Sequence, residues 1–278
     1  MIHQSLVKPP LVMGIVNVTP DSFSDGGRHA TIEAALAHAL SLIDQGADVL
    51  DIGGESTRPG SDPVDEAEEI ARVAPLIAAI RERWDGRISI DTMKPAVARA
   101  AVAAGATMWN DVTALSHAPD SLATAAELGC EVVLMHMKGA PKTMQDDPRY
   151  DDVTAEIVAF LAARTEAAMA AGVAREKIWL DPGIGFAKTT AHNLTLTARL
   201  DALVDLGFPV LYAASRKRLI QGVDETAVAA TDRLGGSLAL AMEGARRGAR
   251  MVRVHDVRET VQALKVQAAV ADLFSVRR

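Results

Sequence analysis

The sequence contains few of the residues and patterns that mark membrane, disulfide-linked or zinc-binding proteins. Its single cysteine, Cys130, cannot form an internal disulfide and has no CxxC or Cys/His spacing around it, so we interpret it as a core residue. No apolar run reaches the roughly 18 residues of a membrane-spanning helix. The first ten residues lack the charged, apolar and small-residue order of a signal peptide. These features predict a soluble, cytoplasmic protein.

Positive charge is also scarce. The formal net charge is -7 and the isoelectric point about 5.5, which gives no electrostatic reason to expect nucleic acid or an anionic membrane as a partner. An anionic ligand would therefore have to be bound by a local group of cations. No Pro/Ser-rich linker divides the 278 residues, of which 49% are hydrophobic. We predict a single domain that spans residues 1–278.

Short β-branched runs alternate with longer Ala/Leu-rich stretches, which is typical of the α/β class with a parallel sheet. The runs predict strands at 11–18, 48–53, 87–92, 107–112, 131–137, 178–181, 209–215 and 251–256. Eight strands favour a single (β/α)8 TIM barrel. An open doubly wound sheet shows the same alternation, but the GxGxxG fingerprint is missing after the first strand.

The predicted helices carry apolar residues at three- and four-residue spacing. In the first helix this pattern places Ile32, Leu36, Leu40 and Ile43 on the face that packs on the strands. Glycines stand where the helices should end, and we interpret them as C′ caps rather than ligand-binding residues. They are Gly46, Gly105, Gly129, Gly172, Gly207 and Gly248.

Polar residues follow the strands, and in a barrel the carboxyl ends of the strands meet at one end. Asp91, Asn110 and Asp181 each close an apolar run, where a carboxylate or amide needs an internal partner or a ligand. A structural hydrogen bond would explain any one of them. Three at equivalent places favour a ligand site. Two carboxylates and an amide suit a ring with an amidine-like N–C–N edge.

Cationic and neutral oxygen groups are expected at the same end of the barrel. Arg253 and His255 alternate by two residues and so share one face of the last strand, and with Arg58 and Asn17 they predict an anion site. For Arg253, an ion pair with Asp256 is the competing interpretation. Lys217, in Ser215-Arg216-Lys217, is interpreted as a fixed donor to a ring carbonyl, because no GxSxG elbow supports a serine nucleophile.

These residues belong to motifs that resemble the signatures of the dihydropteroate synthases, which are pterin-binding enzymes. Residues 13–27, MGIVNVTPDSFSDGG, and 51–60, DIGGESTRPG, look like the two long signatures. Shorter matches continue along nearly the whole chain, at 91–92, 110–111, 134–137, 181–183, 215–217 and 253–256. Motifs of this length and order are far more specific than a lone glycine pattern.

The resemblance implies a TIM-barrel transferase of folate biosynthesis. It would join 6-hydroxymethyl-7,8-dihydropterin pyrophosphate to p-aminobenzoate and release pyrophosphate. Among the matching positions, the pterin site would comprise Asp91, Asn110, Met137, Asp181 and Lys217; the pyrophosphate and Mg2+ site Asn17, Arg58, Arg253 and His255; and the p-aminobenzoate site Thr57, Pro59, Phe186 and Ser215. Asp91, Asp181, Lys217 and Arg253 would be the catalytic residues, and Asn17 the metal ligand.

The resemblance also implies a homodimer, formed by later helices between 227–245 and 261–271, and a p-aminobenzoate site that sulfonamides occupy. Three alanine or glutamine residues stand where the family commonly has glycine: Ala187, Ala213 and Gln221. Of these, Ala213 is expected to crowd the pterin most, because it adds a methyl group on a strand beside the ring. Two alternatives stay open: a methyltetrahydrofolate-dependent methyltransferase, and a catalytically inactive pterin-binding paralogue.

Overall fold

The computed structural model describes residues 9–18, 27–56, 62–139 and 144–275, without the side chains of residues 27–31 and 274–275. No helix in these ranges is long and apolar enough to cross a membrane. Eight strands and ten helices alternate along the described chain. The strands are β1 (Leu11–Asn17), β2 (Val49–Gly53), β3 (Arg87–Asp91), β4 (Met108–Asp111), β5 (Glu131–Met135), β6 (Ile178–Asp181), β7 (Leu211–Tyr212) and β8 (Met251–Val254).

All strand pairs are parallel, and the strands follow the order β6-β5-β4-β3-β2-β1-β8-β7. A bridge between Leu180 and Val210 joins the two ends of this order. There the Leu180 amide donates to the Pro209 carbonyl oxygen at 3.0 Å. The sheet is therefore a nearly closed eight-stranded barrel, and the predicted TIM barrel is confirmed.

The helices cover the outside of this barrel. They are α1 (Gly27–Asp44), α2 (Glu66–Arg81), α3 (Pro95–Ala103), α4 (Ser121–Leu128), α5 (Val153–Ala170), α6 (Thr190–Ala198), α7 (Asp201–Val204), α8 (Arg218–Gln221), α9 (Leu234–Arg246) and α10 (Val257–Ser275). All six glycines predicted at helix ends have positive φ angles, between 58° and 118°. Their interpretation as residues that end helices is confirmed, because L residues avoid this region, although Gly129 is the C-cap of α4 and Gly207 lies two residues after the C-cap of α7.

The packing face of α1 differs by one position from the prediction. Ala35, Ala39 and Leu42 are buried, whereas the predicted Ile32, Leu36, Leu40 and Ile43 are half-buried and flank them. The small alanines let the helix approach the sheet closely. Opposite Leu42, a Cβ atom on Gly14 would lie only 3.1 Å from Leu42 Cδ1. The face of α1 that is buried is therefore the one whose small residues allow close contact with the strand, not the one with the largest side chains.

The interior of the barrel has an apolar lower layer. Seven of the eight strands each contribute one buried side chain to it: Met13, Val49, Met108, Val133, Trp179, Leu211 and Met251. Each such side chain contributes about 1.5–3 kcal/mol when it leaves water. Because strand residues alternate in direction, the inward positions above this layer carry the polar residues of the site. The only cysteine, Cys130, lies in the outer core, as predicted, and burial raises its pKa to about 11.

Strand β7 is much shorter than the predicted 209–215. After Tyr212 the chain leaves the ladder, and Arg216 adopts a left-handed φ of 58°. The Arg216 amide donates to Ser237 Oγ at 2.8 Å rather than to a strand. This turn separates Ser215 and Lys217 from the sheet and places them on a loop at the carboxyl end of the barrel. The remaining predicted strands agree with the structure within two residues at each end.

Candidate active site

The first four strands end with polar or small residues at matched positions. Asn17 pairs with Gly53, Gly53 with Asp91, and Asp91 with Asn110, in adjacent parallel strands. Because Gly53 has no side chain, its neighbours approach each other across it. A Cβ atom there would lie 3.8 Å from both Asn17 Oδ1 and Asp91 Oδ2. The structure therefore brings together Asn17, Asp91 and Asn110, as the sequence predicts.

Arg253 of β8 lies between two buried carboxylates. Its Nε donates to Asp51 Oδ2 at 2.5 Å, and its Nη2 donates to Asp91 Oδ2 at 2.7 Å. Asn110 Nδ2 donates to the same Asp51 oxygen at 3.2 Å. The competing interpretation, an ion pair with Asp256, is wrong: Asp256 accepts from Arg216 Nε at 3.0 Å and from Arg216 Nη2 at 2.5 Å.

Several polar atoms beside this guanidinium have no hydrogen-bond partner among the described residues. They are Asp51 Oδ1, Ser89 Oγ and Asp91 Oδ1. Burial raises the pKa of Asp91 to about 7, since the attraction of Arg253 only partly offsets desolvation and Asp51 adds a like charge. For Arg253 the neighbouring charges outweigh burial. Burial lowers its pKa, but the carboxylates of Asp51 and Asp91 together raise it above the usual value. Buried polar atoms without partners are expected where a ligand binds.

Asp181 ends β6 on the other side of the barrel. Its Oδ1 accepts from the Gly183 amide at 2.7 Å. Burial raises the pKa of Asp181, while the charge of Lys217 is the largest influence that lowers it and Arg253 also contributes. Asp181 therefore lies in the field of both Lys217 and Arg253, and it links the two sides of the site.

Lys217 and Phe186 lie together beside Asp181. Lys217 Nζ donates to the Ile184 carbonyl oxygen and lies 4.6 Å from the centroid of the Phe186 ring. Burial lowers the pKa of Lys217 to about 8, although Asp181 opposes this change. A half-buried aromatic ring next to a half-buried lysine can hold a flat, polar ligand by stacking and hydrogen bonding.

Ser215 and His255 form a direct contact across the last two strands. Ser215 Oγ lies 3.0 Å from His255 Nδ1 and accepts from the His255 amide at 3.2 Å. Met137 follows β5 and is half-buried. Three predicted residues, Thr57, Arg58 and Pro59, lie outside the described residues.

Comparison with known proteins identifies the family of this chain. The family model "Pterin binding enzyme" matches residues 13–255. The dihydropteroate synthase of Escherichia coli strain K12 is 48% identical over 260 residues, which cover 94% of this chain and 91% of that protein. The chain belongs to the dihydropteroate synthases. These enzymes are transferases of folate biosynthesis, and the sequence resemblance is confirmed.

Solved dihydropteroate synthases have the same fold. The Xanthomonas albilineans enzyme with 4-aminobenzoic acid superposes with a TM-score of 0.89 at 52% identity, covering 95% of this chain and 94% of that chain. The same enzyme in complex with 7,8-dihydropteroate gives a TM-score of 0.85 at 48% identity and the same coverage. The Yersinia pestis enzyme with a sulfonamide drug complex gives 0.89 at 44% identity, covering 98% and 99%.

The departures from the usual dihydropteroate synthase sequence have distinct structural settings. Ala187, at a common glycine position, has a left-handed φ of 50°, a conformation that an alanine adopts at a cost of about 1–2 kcal/mol. Tyr150 Oη donates to the Ala187 carbonyl oxygen at 3.0 Å and stabilises the turn. Gln221 Oε1 accepts from Arg233 Nη2 at 3.0 Å. Ala213 is buried just after β7.

Sequence reasoning missed two residues of this dihydropteroate synthase site. Asp51 is 0% exposed and bonds both Arg253 and Asn110. It is a carboxylate within the apolar run of β2, so, like Asp91, it needs an internal partner or a ligand. Lys188 places a positive charge near Asp181. Its Nζ donates to the Phe186 carbonyl oxygen at 2.8 Å and lies 3.1 Å from His136 Nδ1. No spacing in the sequence indicates that contact.

Proposed function

We propose that the carboxyl end of this barrel binds both dihydropteroate synthase substrates, with the pterin against Asp91, Asn110, Asp181 and Lys217. The observation that carries the proposal is Arg253 held between Asp51 and Asp91, in the field of Asp181. One end of the barrel would then hold acceptors for a heterocycle and a cation for its leaving group. The Oδ1 atom of Asp91 has no hydrogen-bond partner within the part of the chain that the structure describes, which supports a ligand at this place.

In the reaction, the C–O bond between the pterin methylene and the diphosphate breaks, and a C–N bond to the p-aminobenzoate amine forms with loss of a proton. If C–O cleavage comes first, the pterin becomes a delocalised cation. The carboxylates of Asp91 and Asp181 would then stabilise charge that develops mainly in the transition state. The N–C–N edge of the pterin is assigned to Asp181, and its carbonyl to Lys217. Met137 would line the pocket.

Arg253 and His255 are assigned to the departing diphosphate, with Arg58, which lies outside the described residues. For Mg2+, no group of three or more His, Cys, Asp or Glu side chains among the described residues could hold a metal. Asn17 Oδ1 and Asp91 Oδ2 each lie 3.8 Å from the place that a Cβ atom on Gly53 would take, and Asn17 Oδ1 offers an oxygen ligand. Mg2+ commonly takes one or two protein oxygens together with substrate phosphates, so this donor set fits an ion that arrives with the diphosphate. Bound there, it would neutralise leaving-group charge.

The p-aminobenzoate place is assigned to Phe186 and Ser215, with Thr57 and Pro59, which lie outside the described residues. The contact of Phe186 with Lys217 puts this ring beside the proposed pterin site. The contact of Ser215 with His255 puts its hydroxyl beside the proposed diphosphate site. The amine would therefore meet the pterin methylene between the two. The sulfonamide complex of the Yersinia pestis enzyme supports a site that also accepts sulfonamides.

A homodimer is proposed through α9 and α10. Val266, Val270 and Leu273 are 51–70% exposed and recur at four- and three-residue spacing, so they form one apolar stripe on α10. A second copy of the chain would cover this stripe. Light scattering tests it: a mass near twice 29.4 kDa supports the dimer, and a monomer contradicts it. The cytoplasmic location stays a prediction that cell fractionation can test.

The proposed function is tested by incubating the protein with pterin pyrophosphate, Mg2+ and p-aminobenzoate. We expect dihydropteroate and pyrophosphate in equal amounts. Binding of the pterin without turnover would instead support the inactive paralogue. A methyltransferase would bind the pterin ring but would need no p-aminobenzoate, so the absence of any p-aminobenzoate dependence would point to that class.

A further inference from the structure

Lys188 is a buried lysine to which no substrate contact is assigned. It is 4% exposed, and its Nζ atom donates to the Phe186 carbonyl oxygen at 2.8 Å. The same atom donates to the carbonyl oxygen of His136, the residue that follows β5, at 3.4 Å and lies 3.1 Å from His136 Nδ1. A Cβ atom on Gly183 would overlap this carbonyl oxygen and lie 3.4 Å from Lys188 Nζ. The ammonium group therefore joins the loop after β6 to the end of β5.

The loop of residues 183–188 has an irregular backbone that side chains hold in place. Gly183, Gly185 and Ala187 have left-handed φ angles of 68°, 83° and 50°, so the loop does not continue a strand or a helix. Four successive carbonyl oxygens each accept from a different side chain: Ile184 from Lys217, Gly185 from Gln145, Phe186 from Lys188 and Ala187 from Tyr150. Each donor therefore fixes one residue of the loop.

Water could replace one of these donors more easily than another. Tyr150 is half-buried and lines a surface cleft, so a water molecule could take the place of its hydroxyl at the Ala187 carbonyl oxygen. Lys188 lies away from solvent. Loss of its ammonium group would leave the Phe186 carbonyl oxygen without this donor.

The contacts of Lys188 are with neutral acceptors. Burial lowers the pKa of His136 to about 3, so its ring is uncharged and can accept at Nδ1. Burial also lowers the pKa of Lys188 to about 7, and the charge of Asp181 only partly offsets this change. A buried ammonium of this kind is costly, and an apolar side chain of similar length would fill the same space without that cost. A specific arrangement of the loop explains the lysine better than stability does.

We propose that Lys188 is a positioning residue, which ties the backbone at Phe186 to the end of β5 and so fixes the Phe186 ring beside Lys217. The ring centroid lies 4.6 Å from Lys217 Nζ. The inference rests on the proposed p-aminobenzoate place at Phe186 for its effect on catalysis. The contacts of Lys188 with Phe186 and His136 are independent of that assignment.

The sharpest test compares Lys188→Met with Tyr150→Phe. Each change removes a donor to one of two neighbouring carbonyl oxygens and keeps a side chain of similar size. We expect about a tenfold rise in KM for p-aminobenzoate with Lys188→Met, as for loss of a charged hydrogen bond, and less than about twofold with Tyr150→Phe. A merely structural role would lower kcat through loss of folded enzyme and leave KM unchanged. That result, or equal KM values in the two variants, would overturn the proposal.

Two changes at His136 separate the anchor from the charge of Lys188. His136→Leu removes the Nδ1 acceptor and keeps the ammonium group, so KM for p-aminobenzoate should rise about threefold, as for loss of a weak hydrogen bond. His136→Asn can place its side-chain oxygen where Nδ1 lies and should restore KM to within about twofold of wild type. An unchanged KM in His136→Leu would show that Lys188 acts through its charge and would contradict a positioning role.

Hydrogen exchange supplies a readout that needs no activity. The Gly185 amide donates to Asn193 Oδ1 at 2.7 Å, and the Phe186 amide donates to the Gly183 carbonyl oxygen at 3.0 Å, so both amides report on the loop. Their exchange should speed up about tenfold in Lys188→Met and stay within about twofold of wild type in Tyr150→Phe.

The proposal stays testable if Lys188→Met does not fold, because His136→Leu should then speed up exchange of the same two amides. Wild-type exchange rates in whichever of these variants folds would overturn the role of Lys188. Absence of dihydropteroate formation by the wild type would instead reject the proposed function, and the exchange rates would still decide whether Lys188 fixes the loop.

Discussion

Among its described residues, the site has two halves with opposite excess charge. One half, formed by the ends of β2, β3 and β8, places the carboxylates of Asp51 and Asp91 on a single cation, Arg253. The other half, formed around the end of β6, places the cations Lys188 and Lys217 near a single carboxylate, Asp181. We call them the acidic half and the lysine half.

In each half, burial favours the neutral form of the groups whose charge is in excess: a carboxylate in the acidic half and the lysines in the lysine half. The pKa of Asp91 is raised to about 7, and those of Lys188 and Lys217 are lowered to about 7 and 8, with desolvation the largest cause in all three. A ligand that bridges the halves would meet groups that change protonation near neutral pH. Perturbed groups of this kind are typical of functional sites.

The largest effect is expected from breaking the lysine half at its carboxylate. Asp181→Asn should reduce pterin binding beyond detection by calorimetry, because the amide cannot supply two acceptors to the N–C–N edge and leaves the two lysines without a counter-charge. Asp111→Asn is a suitable control, since Asp111 faces the helices and accepts from the Thr113 and Leu115 amides. Normal dihydropteroate formation by Asp181→Asn would show that Asp181 has no such role.

In the acidic half, Arg253→Ala should lower the free energy of unfolding by about 3–5 kcal/mol, because it leaves two buried carboxylates without their cation. It should also abolish turnover. Arg216→Ala removes the more exposed ion pair with Asp256 and should cost about 1 kcal/mol. Urea unfolding of both variants measures the difference. Equal losses of unfolding free energy in the two variants would mean that the ion pairs of Arg253 stabilise the protein no more than an exposed ion pair does.

The dependence of pterin affinity on pH sharpens the comparison. Affinity should rise as pH increases through about 7, where Asp91 becomes ionised, and fall above about 8, where Lys217 loses its proton. Below its pKa, the ionised fraction of Asp91 falls about tenfold per pH unit. The Asp91→Asn variant should bind the pterin more weakly. Its affinity should no longer rise as pH increases through about 7, but it should still fall above about 8. Calorimetry between about pH 5.5 and about 9 would show this. If the affinity of the variant still rose through about pH 7, that rise would belong to the titration of another group.

The smallest effect concerns the turn beside the lysine half. Ala187→Gly should be neutral or stabilising, by up to about 1 kcal/mol, because glycine adopts the left-handed conformation without strain. Ala159→Gly, at an exposed position inside α5, should instead destabilise by about 1 kcal/mol. Thermal unfolding distinguishes the two signs. Destabilisation of equal size by both changes would show that the turn carries no strain at Ala187.

The sequence predicted the parts that depend on local pattern. The alternation of strands and helices gave the barrel, and polar residues at strand ends gave Asp91, Asn110 and Asp181, because parallel strands end on the same side. It could not identify pairings between distant residues. Arg253 bonds Asp91 and Asp51 across 162 and 202 positions, whereas the nearby Asp256 pairs with Arg216. The early end of β7 depends on the turn at Arg216, which only the assembled barrel specifies.

A crystal structure of the protein with a bound pterin tests the account most directly. We predict that the N–C–N edge lies against Asp181, the carbonyl against Lys217 and the ring between the acidic half and the lysine half, with Asp91 and Asn110 in contact. A pterin bound elsewhere, or bound here without touching Asp181, would contradict the assignment of the two halves to one substrate site.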